Sequence, residues 1–274
     1  MSKRRIPAAV MHPGRRRNSF TLLETLVVLG IIVLLASMLL PGLSSARAQA
    51  KSVVCRSNIS QIMHASRYYV ADYGGVYCPG ASDILANLDR WHGRRDKPSE
   101  AFDSGRGPLV SYLGSEAKIR QCPAFPADEI AAYSGGFERG NGGYGYNNAF
   151  IGVQTMQYAS GEYEITNDRA GAVADWVVRP AETILFTDTA FAATQLIEYS
   201  FAEPRFHPQW PTFRADPSIH FRHRGLTNVG WCDGHVDSHR RTAFWSSGMY
   251  KADPNRLHLG WFDQADDNSL FDLK

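Results

Sequence analysis

The chain lacks the short signatures of the common catalytic machineries. It has no G-x-S-x-G, no H-E-x-x-H and no phosphate-cradling G-x-x-x-x-G-K-[ST]. Ser44 and Ser45 stand at the exit of an apolar run, a poor place for a nucleophile that needs a supported base. No internal repeat is present. Acid is missing from residues 1–19, which hold six of the 29 Lys+Arg; the formal charge of +2 for the whole chain therefore becomes −4 once they are set aside. That excludes the basic footprint of a nucleic-acid binder. Cysteine is scarce: Cys55, Cys78, Cys122 and Cys232. Four cysteines allow three complete pairings, and spacing does not choose among them. Four buried thiols are the alternative. These absences point away from an enzyme and from a cofactor.

What is present begins at Phe20. Residues Phe20 to Leu43 read FTLLETLVVLGIIVLLASMLLPGL, with Glu24 as the one charge. About 20 apolar residues span a bilayer as a helix. Arg15, Arg16 and Arg17 directly before the run place the N-terminal side in the cytoplasm. A carboxylate inside such a run is costly and calls for a function.

A basic leader, then Phe20-Thr21-Leu22-Leu23-Glu24, then a long apolar helix resembles the type IV prepilins and the type II secretion pseudopilins. The far end resembles one subgroup of that family: His223 is followed by nine residues and then Asp233-Gly234, the prepilin-type processing-associated H-X9-DG pattern. Between them, Pro41, Cys55-Arg56-Ser57-Asn58-Ile59, Gln121-Cys122-Pro123, Tyr144-Gly145-Tyr146-Asn147 and Arg179-Pro180-Ala181-Glu182-Thr183 look like further subgroup landmarks, in order along one chain.

The resemblance implies an α+β, pilin-like fold. Residues 1–19 would be the cytoplasmic leader, 20–43 the transmembrane and assembly helix, 44–73 its extracytoplasmic continuation, and 74–274 a head with an antiparallel β-sheet, long loops and the H-X9-DG hairpin. It implies cleavage by a prepilin peptidase between Ser19 and Phe20 and N-methylation of Phe20; Ser19 stands where the family usually has Gly. Glu24 would meet the Phe20 amine of a neighbouring subunit during assembly. Partners would be like subunits or other pilins, the peptidase/methyltransferase and the bacterial inner membrane, with the head outside the cytoplasm. By family position Cys55 pairs with Cys122, leaving Cys78 and Cys232.

The residues themselves give further expectations. Cys55, Ile59, Ile62, Ser66, Tyr69 and Tyr73 follow helical steps and form one stripe. Gly74-Gly75 should end that helix, and Pro41-Gly42 should kink or open it. Residues 79–107 read as loop-rich, 108–114 as a short helix, 118–122 as a strand and the six-glycine stretch 134–145 as loop with packed tyrosines. Thr183 to Thr187 reads as a buried strand, and 203–220, with four prolines, as an irregular surface loop. Thr227–Cys232 and His235–Arg240 flank Asp233-Gly234 and predict a hairpin with a two-residue turn, Cys232 opposite His235 and Gly230 opposite Asp237. His235, Asp237 and His239 then share a face. With His223 and Asp188 they are candidates for a metal, but a solvated hairpin face is the favoured reading and no metal is expected. His223 is expected to hydrogen-bond the hairpin and fix its register.

Two other readings compete with a filament subunit. One is a secreted soluble enzyme or binding protein whose signal peptide is cut after Ala48-Gln49-Ala50; the apolar run is long for an ordinary signal core. The other is a singly anchored membrane protein that never polymerises.

Overall fold

The computed structural model describes residues 21–83, 86–114, 118–125, 138–157, 163–193, 196–249 and 252–274. The chain divides into two compact units, Met1–Ala46 and Arg47–Lys274.

In the first unit, helix α1 begins at Leu22 and is assigned without a break to Asp72 in the second. Its start is a capping box. The Thr21 hydroxyl accepts from the Glu24 amide at 3.2 Å, and Glu24 Oε2 accepts from the Thr21 amide and hydroxyl at 2.9 Å each. Pro41 lies inside the helix, and the Ser44 hydroxyl bonds the Pro41 carbonyl at 2.8 Å. Every side chain from Thr21 to Ser44 is exposed. This stretch is long and apolar enough to cross a membrane.

In the second unit α1 has a buried face. Cys55, Ile59, Ile62, Ser66 and Tyr69 are buried along it, as the helical spacing predicts, and Asn58 and Met63 beside them. Tyr73 is the exception: it is 58% exposed and stacks on Tyr69 with ring centroids 4.0 Å apart. The helix ends ahead of Gly74-Gly75, and the Gly75 amide closes it on the Val70 carbonyl at 2.8 Å.

The head's main sheet has four antiparallel strands: β1 (Tyr144–Tyr146), β2 (Ile184–Asp188), β3 (Leu226–Trp231) and β4 (Val236–Arg240). Their spatial order is β4-β3-β2-β1. The layout is thus α+β, one long N-terminal helix followed by antiparallel sheets. The β2 strand is buried at every position, which suits its apolar run. At Gly230 the helix passes so close to β3 that a Cβ would fall 2.6 Å from Met63 Sδ and 2.9 Å from Ile59 Cγ2. Its strand neighbours Val229 and Trp231 join a second apolar cluster with Ile184, Phe221 and Trp261. Ile59, Met63, Leu185 and Phe186 belong to the first.

Several expectations need correction. The hairpin is present, but its register is shifted by one: Gly230 faces Val236, and Val229 faces Asp237. The loop has three residues, because the Gly234 amide bonds the Trp231 carbonyl at 2.8 Å and the Trp231 amide bonds His235 O at 3.0 Å. Gly234, at φ +99°, supplies the left-handed residue such a loop requires. Cys232 pairs with neither strand partner; its amide bonds Thr183 O at 3.0 Å. Residues 144–145 are strand rather than loop, drawn onto β2. The helix expected over 108–114 is a single 3-10 turn, Val110–Tyr112. Among the described residues of 118–122 no strand forms. Residues 203–220 are no surface loop: they hold the paired strands Phe206–His207 and Trp210–Arg214, then Ile219–His220, and Ser218, Ile219 and His220 are buried. Backbone amides there find partners despite the prolines, so burial carries no large penalty.

Candidate functional site

Two places carry unusual chemistry. The first is the start of α1. Ser19 and Phe20, the expected cleavage site, lie outside the described residues. Glu24 is exposed, and its carboxylate is engaged by Thr21 as described above.

The second lies in the head, where four side chains distant in sequence converge. Cys55 comes from the buried face of α1. Three residues on, on that same face, Asn58 reaches the segment leading into Cys122: its amide nitrogen lies 3.4 Å from the Arg120 and Gln121 carbonyls and 3.1 Å from the Tyr144 hydroxyl. Those contacts, with the Cys122 amide bonded to Gly142 O at 2.9 Å, set Cys122 beside Cys55. Asp188 is the last residue of β2, and His223 stands just before β3.

The donor atoms of Cys55, Cys122, Asp188 and His223 all lie within 4.8 Å of one another. The Cys55 thiol donates to Asp188 Oδ1 at 3.0 Å. His223 Nε2 sits 3.5 Å from Cys122 Sγ and 3.3 Å from Asp188 Oδ2. Arg222 flanks the group. One guanidinium nitrogen bonds Asp188 Oδ1 at 2.8 Å and also the Gly143 carbonyl, the other bonds Thr189 O at 3.0 Å, and the group lies over the Phe125 ring. The Asn228 amide completes the shell of Asp188 at 2.8 Å. Cys55, Cys122 and Asp188 are fully buried and His223 is 4% exposed.

Electrostatics follow from that packing. Burial alone would raise the Asp188 carboxyl, but Arg222 and His223 outweigh it and hold it well below the usual carboxylate range. Burial opposes protonation of His223; its hydrogen bonds to Asp188 and Cys122 win and lift it to about 9. Burial, the Cys122 contact and the Asp188 charge push the Cys55 thiol up. Cys122 moves the other way, through its contact with Cys55 and, against burial, the charge of Arg222 and the His223 contact. Geometry assigns the thiolate to Cys122, since Cys55 faces a carboxylate and Cys122 an imidazole.

A Cys-His-Asp trio raises the question of nucleophilic catalysis. The geometry argues against it. Asp188 and Cys122 both approach the same nitrogen, Nε2, while Nδ1 is buried without a hydrogen bond. A relay needs the two on opposite ring nitrogens.

The other sequence candidates fall elsewhere. Cys55 and Cys122 are neighbours, as the resemblance implied, but all four cysteines are free and buried rather than bonded. Burial pushes the Cys78 and Cys232 thiols up to about 12, and neither belongs to the cluster. Among the described residues the hairpin candidates do not form a donor cluster of the kind that holds a metal. Asp237 accepts from the Trp231 indole at 2.8 Å and pairs with His239 at 2.9 Å, whereas His235 turns to Asp233 at 2.6 Å. The His223 ring does not bond the hairpin; only its backbone does, through paired bonds with Leu226 at 3.0 and 3.2 Å. Sequence reasoning groups Asp188 with His223 and the hairpin residues as a metal candidate, but not with Cys55 and Cys122, and it misses Arg222, whose only signal is its place beside the His223 landmark.

Compared with protein-family models, with curated proteins and with solved structures, the chain has no significant match.

Proposed function

We propose that this chain is a prepilin-like structural subunit of a type II secretion pseudopilus or a type IV pilus-like filament. In this reading a prepilin peptidase cuts between Ser19 and Phe20, the new N-terminus is methylated, and the subunit waits in the inner membrane with its head outside the cytoplasm. One observation carries the proposal. A single helix, Leu22–Asp72, has an apolar first half with all of its side chains exposed and a second half built into a head. An apolar surface of that extent needs lipid or other helices to cover it. The same half-helix serves both states, membrane anchor and filament core, and Glu24 near its start can pair with an amine in either low-dielectric setting. The motif order from Phe20 to Asp233-Gly234 adds to this.

The test is N-terminal sequencing of membrane-extracted protein together with a filament assay. A mature chain starting at Phe20, with Glu24→Ala processed normally but absent from sheared filaments, is the expected result. A start at Lys51 would instead identify a cleaved signal peptide. One observation favours a second reading, the unpolymerised anchor: Glu24 already has a partner in Thr21 within its own chain. Wild-type filament yield from Glu24→Ala would select it.

A further inference from the structure

We propose that Cys55, Cys122, Asp188 and His223 form a closed structural site for one transition-metal dication, zinc by ligand chemistry, that fastens helix α1 to the sheet of the head. The inference does not depend on the filament reading. It rests on four donors of metal-binding type that meet at one buried point, held there by α1, the Cys122 loop, β2 and the segment before β3.

The distances suit a metal. Tetrahedral zinc with sulfur at about 2.3 Å and nitrogen or oxygen at about 2.0 Å keeps its donors about 3.3–3.8 Å apart. The contacts here are 3.0 Å from Cys55 Sγ to Asp188 Oδ1, 3.3 Å from Asp188 Oδ2 to His223 Nε2, and 3.5 Å from His223 Nε2 to Cys122 Sγ. An ion at the centre requires Asp188 to present one oxygen to it and the most distant donors, within 4.8 Å of one another, to draw in by up to about 1 Å. Two thiolates with an imidazole and a carboxylate are a soft-to-borderline set, which favours zinc over calcium or magnesium.

Charge is balanced as well. A dication with two thiolates and one carboxylate leaves a single negative charge, which would be costly at a buried point. The Arg222 guanidinium, its side chain 3% exposed, lies 2.8 Å from Asp188 Oδ1 and cancels it. On binding, two protons leave, one from Cys55 and one from those shared by Cys122 and His223, and the imidazole keeps its proton on Nδ1. No electron moves. Four protein ligands at a site without exposure leave no open position for a substrate, so the ion would be structural rather than catalytic. The histidine of H-X9-DG thereby gains a physical role, since it ends the ligand set and fixes the segment leading into β3.

The competitor is a Cys55–Cys122 disulfide, which would remove both thiolates. The test uses the full chain purified in detergent without chelator. Elemental analysis should find one zinc per chain, and thiol titration after denaturation should recover all four thiols. Chelation followed by cobalt(II) should restore one ion per chain, with intense visible d–d bands of tetrahedral cobalt and the near-ultraviolet band of thiolate ligation. Cys122→Ser and His223→Ala should lose the ion, while His239→Gln on the hairpin should keep it. The cobalt spectrum is read on the unaltered chain, so a variant that fails to fold does not leave the matter open. Four free thiols with neither zinc nor cobalt bound, or two thiols missing in a Cys55–Cys122 cross-linked peptide, would overturn the proposal.

Discussion

Single residues decide between explanations that the helix as a whole leaves tied. Glu24 has a capping role toward Thr21 and a proposed charge role toward a neighbour's Phe20 amine. Gln serves in a capping box almost as well as Glu, but carries no charge. If charge pairing drives assembly, Glu24→Gln should be as poor in filament yield as Glu24→Ala. Recovery of filaments by Gln would assign the residue to the cap. His92 offers a test inside the head. It is buried, with Nε2 2.7 Å from the Ser200 hydroxyl, and burial, then the charges of Arg90 and Arg95, lower it from 6.5 to about 3. The unfolded chain therefore takes up a proton below pH 6.5 that the folded chain refuses. Stability attributable to this group is full above pH 6.5 and declines as pH falls toward 3. Over that window the slope should be about 1.4 kcal/mol per pH unit for one proton. Urea unfolding at several pH values should show the His92→Gln slope smaller by that amount. Equal slopes would mean that His92 protonates freely in the folded head.

At the scale of elements, what was legible in the sequence is what repeats locally. The stripe from Cys55 to Tyr69 was readable because helical spacing writes it into fifteen consecutive residues, and β2 because Ile184-Leu185-Phe186 between two threonines reads as a buried strand. The Asp-Gly turn marked its hairpin but not its register, because two- and three-residue loops both use glycine at the left-handed position. The paired strands within 203–220 were hidden by their prolines: Pro211 lies inside Trp210–Arg214, whose pairing with Phe206–His207 is irregular between its two ends. The four-donor cluster was the least legible part. Cys55 and Asp188 are 133 positions apart, and Cys122 and His223 are 101 apart, so only the folded topology joins them. Gly230 shows the same limit: nothing in its local sequence says that a helix crosses there. A Gly230→Ala chain must displace Met63 or Ile59 to admit the methyl group. Overpacking of this kind costs about 1–3 kcal/mol. Denaturant unfolding should show that loss, and adding Met63→Ala should cancel part of it, since the two sites share one space. No loss in the single variant would mean that helix and strand are further apart than described.

The whole molecule divides its labour along one helix. Among the described residues of the first unit no side chain is buried, while from Cys55 onward the same helix supplies a wall of the head's main core. The head's stability should therefore come from Arg47–Lys274 alone, whose roughly 230 residues are enough to bury a sizeable core. A chain beginning at Arg47 keeps Cys55, Asn58, Ile59, Ile62 and Met63, so both the apolar wall and the four-donor cluster remain complete. Among the described residues it loses the exposed apolar stretch and no buried side chain. The expected outcome is a soluble protein with the same secondary-structure spectrum and a cooperative melt within a few degrees of the full chain in detergent, since about 1 kcal/mol moves the midpoint of a domain this size by about 2–4 °C. Starting instead at His64 should abolish the cooperative melt, because it removes Cys55, Ile59, Ile62 and Met63 together. If the Arg47 chain itself melted without cooperativity, the apolar half of the helix would have to act in folding as well as in anchoring, and the separation of the two roles at Ala46 would be wrong.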